Sequence, residues 1–321
     1  MGLPLGLLLM LQQPIIVDGH IDTPQRMLDM KADITARLED GHVDVPRMRE
    51  GGLTAAFFSI WVDARYGRGT AFQRAIDLIG AVRALADTNT EVELATTADQ
   101  VRAAAARGHV AALMGVEGGH AIENSLEKLD SLYRLGVRYL TLTWNNGNDW
   151  AGSSTDPHHH GGLSPFGKRV VRRMNELGML VDVSHVSDST FWDVLAISSK
   201  PVIASRRRLK PETDAIRTRY RGHPGESAFE VDKFVGQHAE SLDVPSIDRL
   251  LDHIDHAVQV MGVDHVALGS DFDGISVLPL PMKDATSLPE LVRALEGRGY
   301  SDGDVRKILG ENFLRLLTAG P

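Results

Sequence analysis

The 321-residue sequence has no cysteine. That absence excludes structural disulfides, thiolate metal sites and cysteine nucleophiles together. Any metal must then be held by His, Asp and Glu, and thirteen histidines keep that route open. No apolar run is long enough to span a bilayer, so no transmembrane anchor is expected. No long basic run is present either. With 34 Lys and Arg against 43 Asp and Glu, the net charge is −9, which argues against a nucleic-acid partner. There is no internal repeat and no low-complexity tract. A composition of 43% hydrophobic and 24% charged residues is that of an ordinary globular chain and excludes disorder, collagen and coiled coil.

The N-terminal stretch 2–11 (GLPLGLLLML) is apolar but short. It has the character of a signal-peptide core, without the basic leader or a clear small-residue cleavage site. Residues 1–14 are therefore expected to be a tail or a signal-peptide remnant, and 15–321 a single domain. Cytoplasm and periplasm fit a cysteine-free chain equally.

What the chain does contain is an alternation. Short runs rich in β-branched residues occur at 15–17, 53–61 (LTAAFFSIW), 110–116 (VAALMGV), 137–143 (VRYLTLT), 179–183 (MLVDV), 201–204 (PVIA) and 266–269 (VALG). Between them, apolar residues recur at helical spacing over 71–86, 125–135, 168–177, 189–197 and 246–261. Two more helices are expected at 288–295 and 302–317, the second capped by Ser301 or Asp302. Continuous apolar strands separated by helices predict a parallel sheet covered on both faces. At this length the expected fold class is α/β, a (β/α)8 TIM-like barrel, with a doubly wound sheet as the alternative. The strand count is seven rather than eight. About sixty residues separate Ala204 from Val266 without a convincing buried strand, so the seventh βα unit is expected to be missing from the sequence.

In a barrel of this type the active site lies at the C-terminal ends of the strands. The first run ends in Asp18-Gly19-His20-Ile21-Asp22, and His20 and Asp22, two apart, point the same way in extended chain. The third ends in Glu117, the fifth in Asp182-Val183-Ser184-His185, and the last in Ser270-Asp271. Each residue alone is better explained as a cap or a loop hydrogen bond. Together, His20, Asp22, Glu117, His185 and Asp271 would bury several charges at one rim, which is prohibitive without a compensating cation. A divalent ion, or a pair bridged by a carboxylate, supplies it. Zn²⁺ with nitrogen and oxygen ligands is expected, and Mn²⁺ and Co²⁺ suit the same donors.

These segments resemble those of the membrane dipeptidase (renal dipeptidase) family, M19, of the amidohydrolase-like metallopeptidases. The matching stretches are DGHID at 18–22, GVEGG at 115–119, RYLTLTWNN at 138–146, LSPFGKRVVRRMNELGMLVDVSHVSD at 163–188, KPVIAS at 200–205, DHVALGSDFDG at 264–274 and ILGENFLRLL at 308–317. The resemblance implies a two-zinc dipeptidase. By position, His20 and Asp22 would hold the first ion, Glu117 would bridge, His185 would hold the second, and Asp271 would handle the proton of a bridging water. It implies a small dipeptide substrate, tolerance of a C-terminal D-residue, β-lactam opening in some members, and a homodimer.

The sequence departs from that pattern after Ser205. The family continues with a second-ion histidine and an arginine for the substrate carboxylate, whereas this chain runs into Arg206-Arg207-Arg208. A guanidinium stays protonated and cannot ligate zinc, so the second metal site is in doubt. Residues left out between Ser205 and Arg206, a genuine deletion, and a remodelled loop are the alternatives. Trp144 stands where many members have a histidine; with Asn145 it either lines the pocket or packs on the rim. The run His158-His159-His160 is expected to shape a loop at the pocket mouth rather than to bind metal. Other amidohydrolase chemistry (lactam, lactone or N-acyl amino acid hydrolysis) and a degenerate, non-catalytic member are the rival functions.

Overall fold

The computed structural model describes residues 14–156, 158–159, 161–204, 245–275 and 277–318. Seven parallel strands form one curled sheet: β1 (Ile16–Ile21), β2 (Leu53–Trp61), β3 (Val92–Leu94), β4 (Val110–Glu117), β5 (Val137–Thr141), β6 (Leu180–Asp182) and β7 (Val202–Ile203). The order is β1-β2-β4-β5-β6-β7, with β3 pairing β4 beside this path. Helices α1 (Thr23–Asp29), α2 (Val45–Glu50), α3 (Ala71–Thr88), α4 (Ala98–Ala106), α5 (Leu126–Arg134), α6 (Pro165–Leu177) and α7 (Asp188–Ile197) are interleaved with the strands.

Local sequence sets the helix starts. The side chains of Thr97, Ser125, Ser164 and Ser187 accept hydrogen bonds from the backbone N–H groups of Gln100, Lys128, Gly167 and Thr190. Each such cap is worth about 1 kcal/mol. Ser301 does the same for Asp304 N–H, so of the two expected caps it is Ser301 that serves. Helix α6 also opens with Pro165 in its first turn and stops at Gly178, whose φ of 73° is cheap only for glycine.

The two faces of the sheet build different cores. Outward residues such as Phe58, Ile60, Val116 and Leu140 pack with Leu78, Val82, Leu129 and Val170 of the surrounding helices. Inward residues Val17, Phe57, Leu113, Tyr139 and Leu180 fill the curl together with Phe313 and Leu314 of the C-terminal helix. The rings of Phe57 and Phe313 stand 5.7 Å apart, and those of Phe57 and Tyr139 5.1 Å. The interior is a packed apolar plug, and the candidate ligands stand above it at the strand ends.

The structure corrects three expectations. A strand was not foreseen at Val92–Leu94, because three residues with a central Glu93 carry no apolar run. The expected last strand at 266–269 is extended backbone without a regular ladder. It lies along β1 through single bonds: Gly19 N–H donates to Leu268 O, Asp271 N–H to His20 O and Asp22 N–H to Phe272 O, at 2.9, 3.0 and 2.8 Å. The left-handed turns at Asp271 and Asp273, φ 59° and 62°, break the register there. The expected helix 302–317 is instead Asp302–Arg306, a π-turn at Lys307–Glu311, and Asn312–Thr318. Gly310 allows that turn to press on β1: a Cβ there would meet Ile15 O at 2.4 Å. The Ser205–Arg206 junction, the missing-unit question and the N-terminal tail up to residue 13 lie outside the described residues.

Candidate metal centre

His20, Asp22 and Glu117 come together at the C-terminal ends of β1 and β4, with one donor atom of each within 4.8 Å of the others. His20 Nε2 lies 3.6 Å from Asp22 Oδ1, 3.4 Å from Glu117 Oε2 and 3.8 Å from Asp271 Oδ1. The other carboxylate oxygen of Glu117, Oε1, lies 2.9 Å from His185 Nε2. Glu117 thus presents one oxygen to each histidine, the disposition a bridging carboxylate requires.

Backbone geometry produces this convergence. In β1, His20 lies within a register irregularity between Asp18 and Ile21, and Asp22 directly follows it. Buried Asp18 stabilises it by accepting from the N–H groups of His20 and Ser270, at 3.0 and 2.9 Å. Asp271 is turned inward by its left-handed backbone, a conformation aspartate tolerates better than most residues. The next turn residue, Asp273, is pinned by Thr23 Oγ1 at 2.7 Å and His42 N–H at 2.7 Å, with Arg26 at 3.4 Å. Gly274 leaves room for both carboxylates: a Cβ would stand 2.0 Å from Asp22 Oδ2 and 2.5 Å from Asp271 Oδ1.

The electrostatics ask for positive charge. Burial alone would disfavour cationic histidines, yet the neighbouring groups outweigh it: Tyr139 first, then Glu117 and Asp22, hold His20 well above its usual range, and Glu117 raises His185. Burial would likewise raise the Glu117 carboxyl, but the two imidazoles hold it well below the usual range. The donor set, nitrogen and oxygen only, suits a borderline-to-hard divalent ion.

The remaining expected residues are placed as follows. Trp144 is half-buried, with its ring edge-on to Trp61 at 5.0 Å. Asn145 is exposed, and its carbonyl accepts from Thr155 Oγ1 at 2.8 Å. His158 and His159 are exposed; His159 Nδ1 lies 3.1 Å from Asp156, which also accepts from Gly147 N–H. His160 lies outside the described residues. Sequence reasoning missed Asp18, Tyr139, Asp182 and Gly274. Asp182 is buried below the rim, bonded by Thr141 Oγ1 at 2.6 Å and by Ser184, and burial raises its carboxyl. None of these carries a motif signal on its own, because each matters through its partner across the sheet.

A parallel α/β barrel-type sheet whose C-terminal rim gathers histidines and carboxylates defines the class of metal-dependent barrel hydrolases. Within that class, the profile of the membrane dipeptidase family, peptidase family M19, matches residues 8–217 and 231–319, and the chain belongs to that family. It is 32% identical over 319 residues to human Dipeptidase 3, covering 94% of this chain and 64% of that protein. It is 33% identical to Dipeptidase verJ of Clonostachys rogersoniana, covering 94% and 83%. Among solved structures it resembles a Rhodobacter sphaeroides metallopeptidase liganded with a phosphinate mimic of the dipeptide L-Ala-D-Ala. That match has TM-score 0.77 and 26% identity, covering 96% of this chain and all of the other. A second, the dipeptidase AC of family M19, gives TM-score 0.77 and 27% identity over 96% and 98% of the two chains. Among the described residues, no helix is long and apolar enough to cross a membrane.

Proposed function

We propose that this chain is a zinc-dependent dipeptidase acting on small dipeptides, including those with a C-terminal D-residue. The observation that carries the reading is Glu117, whose two oxygens face His20 on one side and His185 on the other. His20, Asp22 and Glu117 would hold one ion; Glu117 and His185 would contribute to a second. Zinc, when bound, supplies Lewis acidity toward a scissile carbonyl and makes water a nucleophile at neutral pH.

The protein's own groups do the rest. Asp271, within 3.8 Å of His20 Nε2, is the carboxylate positioned to take a proton from the attacking water and return it to the leaving amine. The left-handed turn and Gly274 hold that carboxylate inward. Trp144, backed by Trp61, forms an apolar wall at the rim, and Asn145 offers polar contacts beside it. The tolerance of a D-residue follows the relative liganded with the L-Ala-D-Ala mimic.

The test joins metal content to hydrolysis of a panel of L,L- and L,D-dipeptides. Two zinc ions per chain with rapid cleavage are expected. His20→Ala should lower zinc content, and Asp271→Asn should cut kcat by at least 100-fold while leaving the His185 side of the centre metallated. One ion or none with no cleavage would instead identify a degenerate member. Full zinc in His20→Ala would remove His20 from the ligand set.

A further inference from the structure

The nitrogen of His20 that faces away from the carboxylates also has a partner. Nδ1 lies 2.8 Å from the hydroxyl of Tyr139. The two rings are nearly parallel, with centroids 6.3 Å apart and planes at 21°. Tyr139 is 1% exposed and sits on β5, pointing into the curl. It fits because its register partner on β4 is Gly115. A Cβ on Gly115 would stand 2.0 Å from the Tyr139 ring. Phe57 supports the same ring from below. The hydroxyl is thus delivered to His20 by the sheet itself, without a mobile loop.

We propose that Tyr139 is a positioning residue for the metal centre: its hydroxyl holds His20 Nδ1, so that Nε2 is presented to Asp22, Glu117 and the ion. The inference rests on the reading of His20 as a metal ligand. The chemistry is specific. A neutral imidazole has one donor and one acceptor nitrogen. When Nδ1–H donates to the Tyr139 oxygen, Nε2 carries a lone pair and can ligate. A hydroxyl can also donate to Nδ1, so Tyr139 pairs with either tautomer of the ring. One buried group therefore orients the ring whichever nitrogen carries the proton. Partners of this kind on the second nitrogen of a metal-binding histidine typically set affinity by 10–100-fold.

Tyr139→Phe removes the hydroxyl and keeps the ring. The experiment titrates metal-free wild type, Tyr139→Phe, Phe57→Leu and His20→Ala with Co²⁺, followed by its visible absorption, and with Zn²⁺ by chelator competition. Phe57→Leu disturbs the same packing without touching the His20 bond. The expected result is a 10–100-fold loss of affinity at the first ion in Tyr139→Phe with an altered Co²⁺ spectrum. Phe57→Leu should stay within about threefold of wild type, and His20→Ala should lose the first site. Tyr139→Phe binding within twofold of wild type, or Phe57→Leu losing as much as Tyr139→Phe, overturns the Tyr139 role and leaves the metal reading standing. Wild-type binding by His20→Ala, or no binding by the wild type, overturns both.

Discussion

At the scale of single residues, the site depends as much on absent atoms as on ligands. Gly274 has no unusual φ, so alanine is compatible with its backbone; the obstacle is the 2.0 Å approach to Asp22. Gly274→Ala should push Asp22 and Asp271 outward and weaken the first ion at least tenfold. The unfolding midpoint of the metal-free protein should move by no more than a few degrees. Isothermal titration with zinc beside a thermal melt separates the two effects; unchanged zinc affinity would show that the carboxylates do not close on that space. The residues that gather at the rim were legible in the sequence because His, Asp and Glu at several strand ends have few reasons to converge without a cation. Their supports were not. Tyr139 reads as one more apolar strand residue until the pairing of β4 and β5 sets it over Gly115, and Asp18 reads only as the first residue of DGHID rather than as the acceptor that shapes β1. Trp144 is a further case: its packing against the Trp61 ring needed the strand arrangement to be seen.

Elements were legible where burial dictated them. Long apolar strands such as β2 and β4 and the amphipathic helices between them declare themselves by period. The elements missed are those held by polar contacts. β3 exists because Val92–Leu94 pairs with β4 and because Glu93 anchors it. The Glu93 carboxylate accepts from Arg107 Nε at 2.8 Å, at the end of α4, and meets His109 Nδ1 at 2.6 Å. Arg107 chiefly, together with His109, pushes the Glu93 carboxyl down to about 2 from an ordinary 4.5. A carboxyl depressed in the native state stabilises it at neutral pH, and that stability is lost as the pH falls from 4.5 towards 2. The pair is largely solvated, so screening leaves it only a small contribution. Urea midpoints of wild type and Glu93→Gln should therefore differ slightly at pH 7, and the gap should narrow below pH 4.5 and close only towards pH 2. A constant gap across that range would show that Glu93 acts through packing rather than charge. The end of the sheet beyond 266 was misjudged for the converse reason. Its residues have strand propensity, but the aspartate turns that aim Asp271 at the site prevent a continuous ladder with β1.

Across the whole molecule, the candidate centre is a junction between distant parts of the chain. His20 and Asp22 stand at the end of β1, Glu117 at the end of β4, His185 after β6 and Asp271 on the segment that closes against β1. The barrel floor is plugged separately, by Phe313 and Leu314 against Phe57 and Tyr139. The closing segment has only isolated backbone bonds to β1, so the rim lacks the ladder that secures the rest of the sheet. An ion that binds His20, Asp22 and Glu117 beside Asp271 would cross-link that seam. Binding to the folded chain alone stabilises it by about 2.7 kcal/mol when the free ion is 100-fold above its Kd. For a chain of this size that is a rise of about 5 °C in Tm. Zinc added to metal-free wild type should produce that rise, and a chelator should reverse it. Hydrogen exchange should show the largest gain in protection at the amides of Asp22 and Asp271, which bond across the seam to Phe272 and His20. His20→Ala should lose both effects. A zinc-dependent Tm with no added protection at those two amides would mean that the ion stabilises the fold without closing the seam.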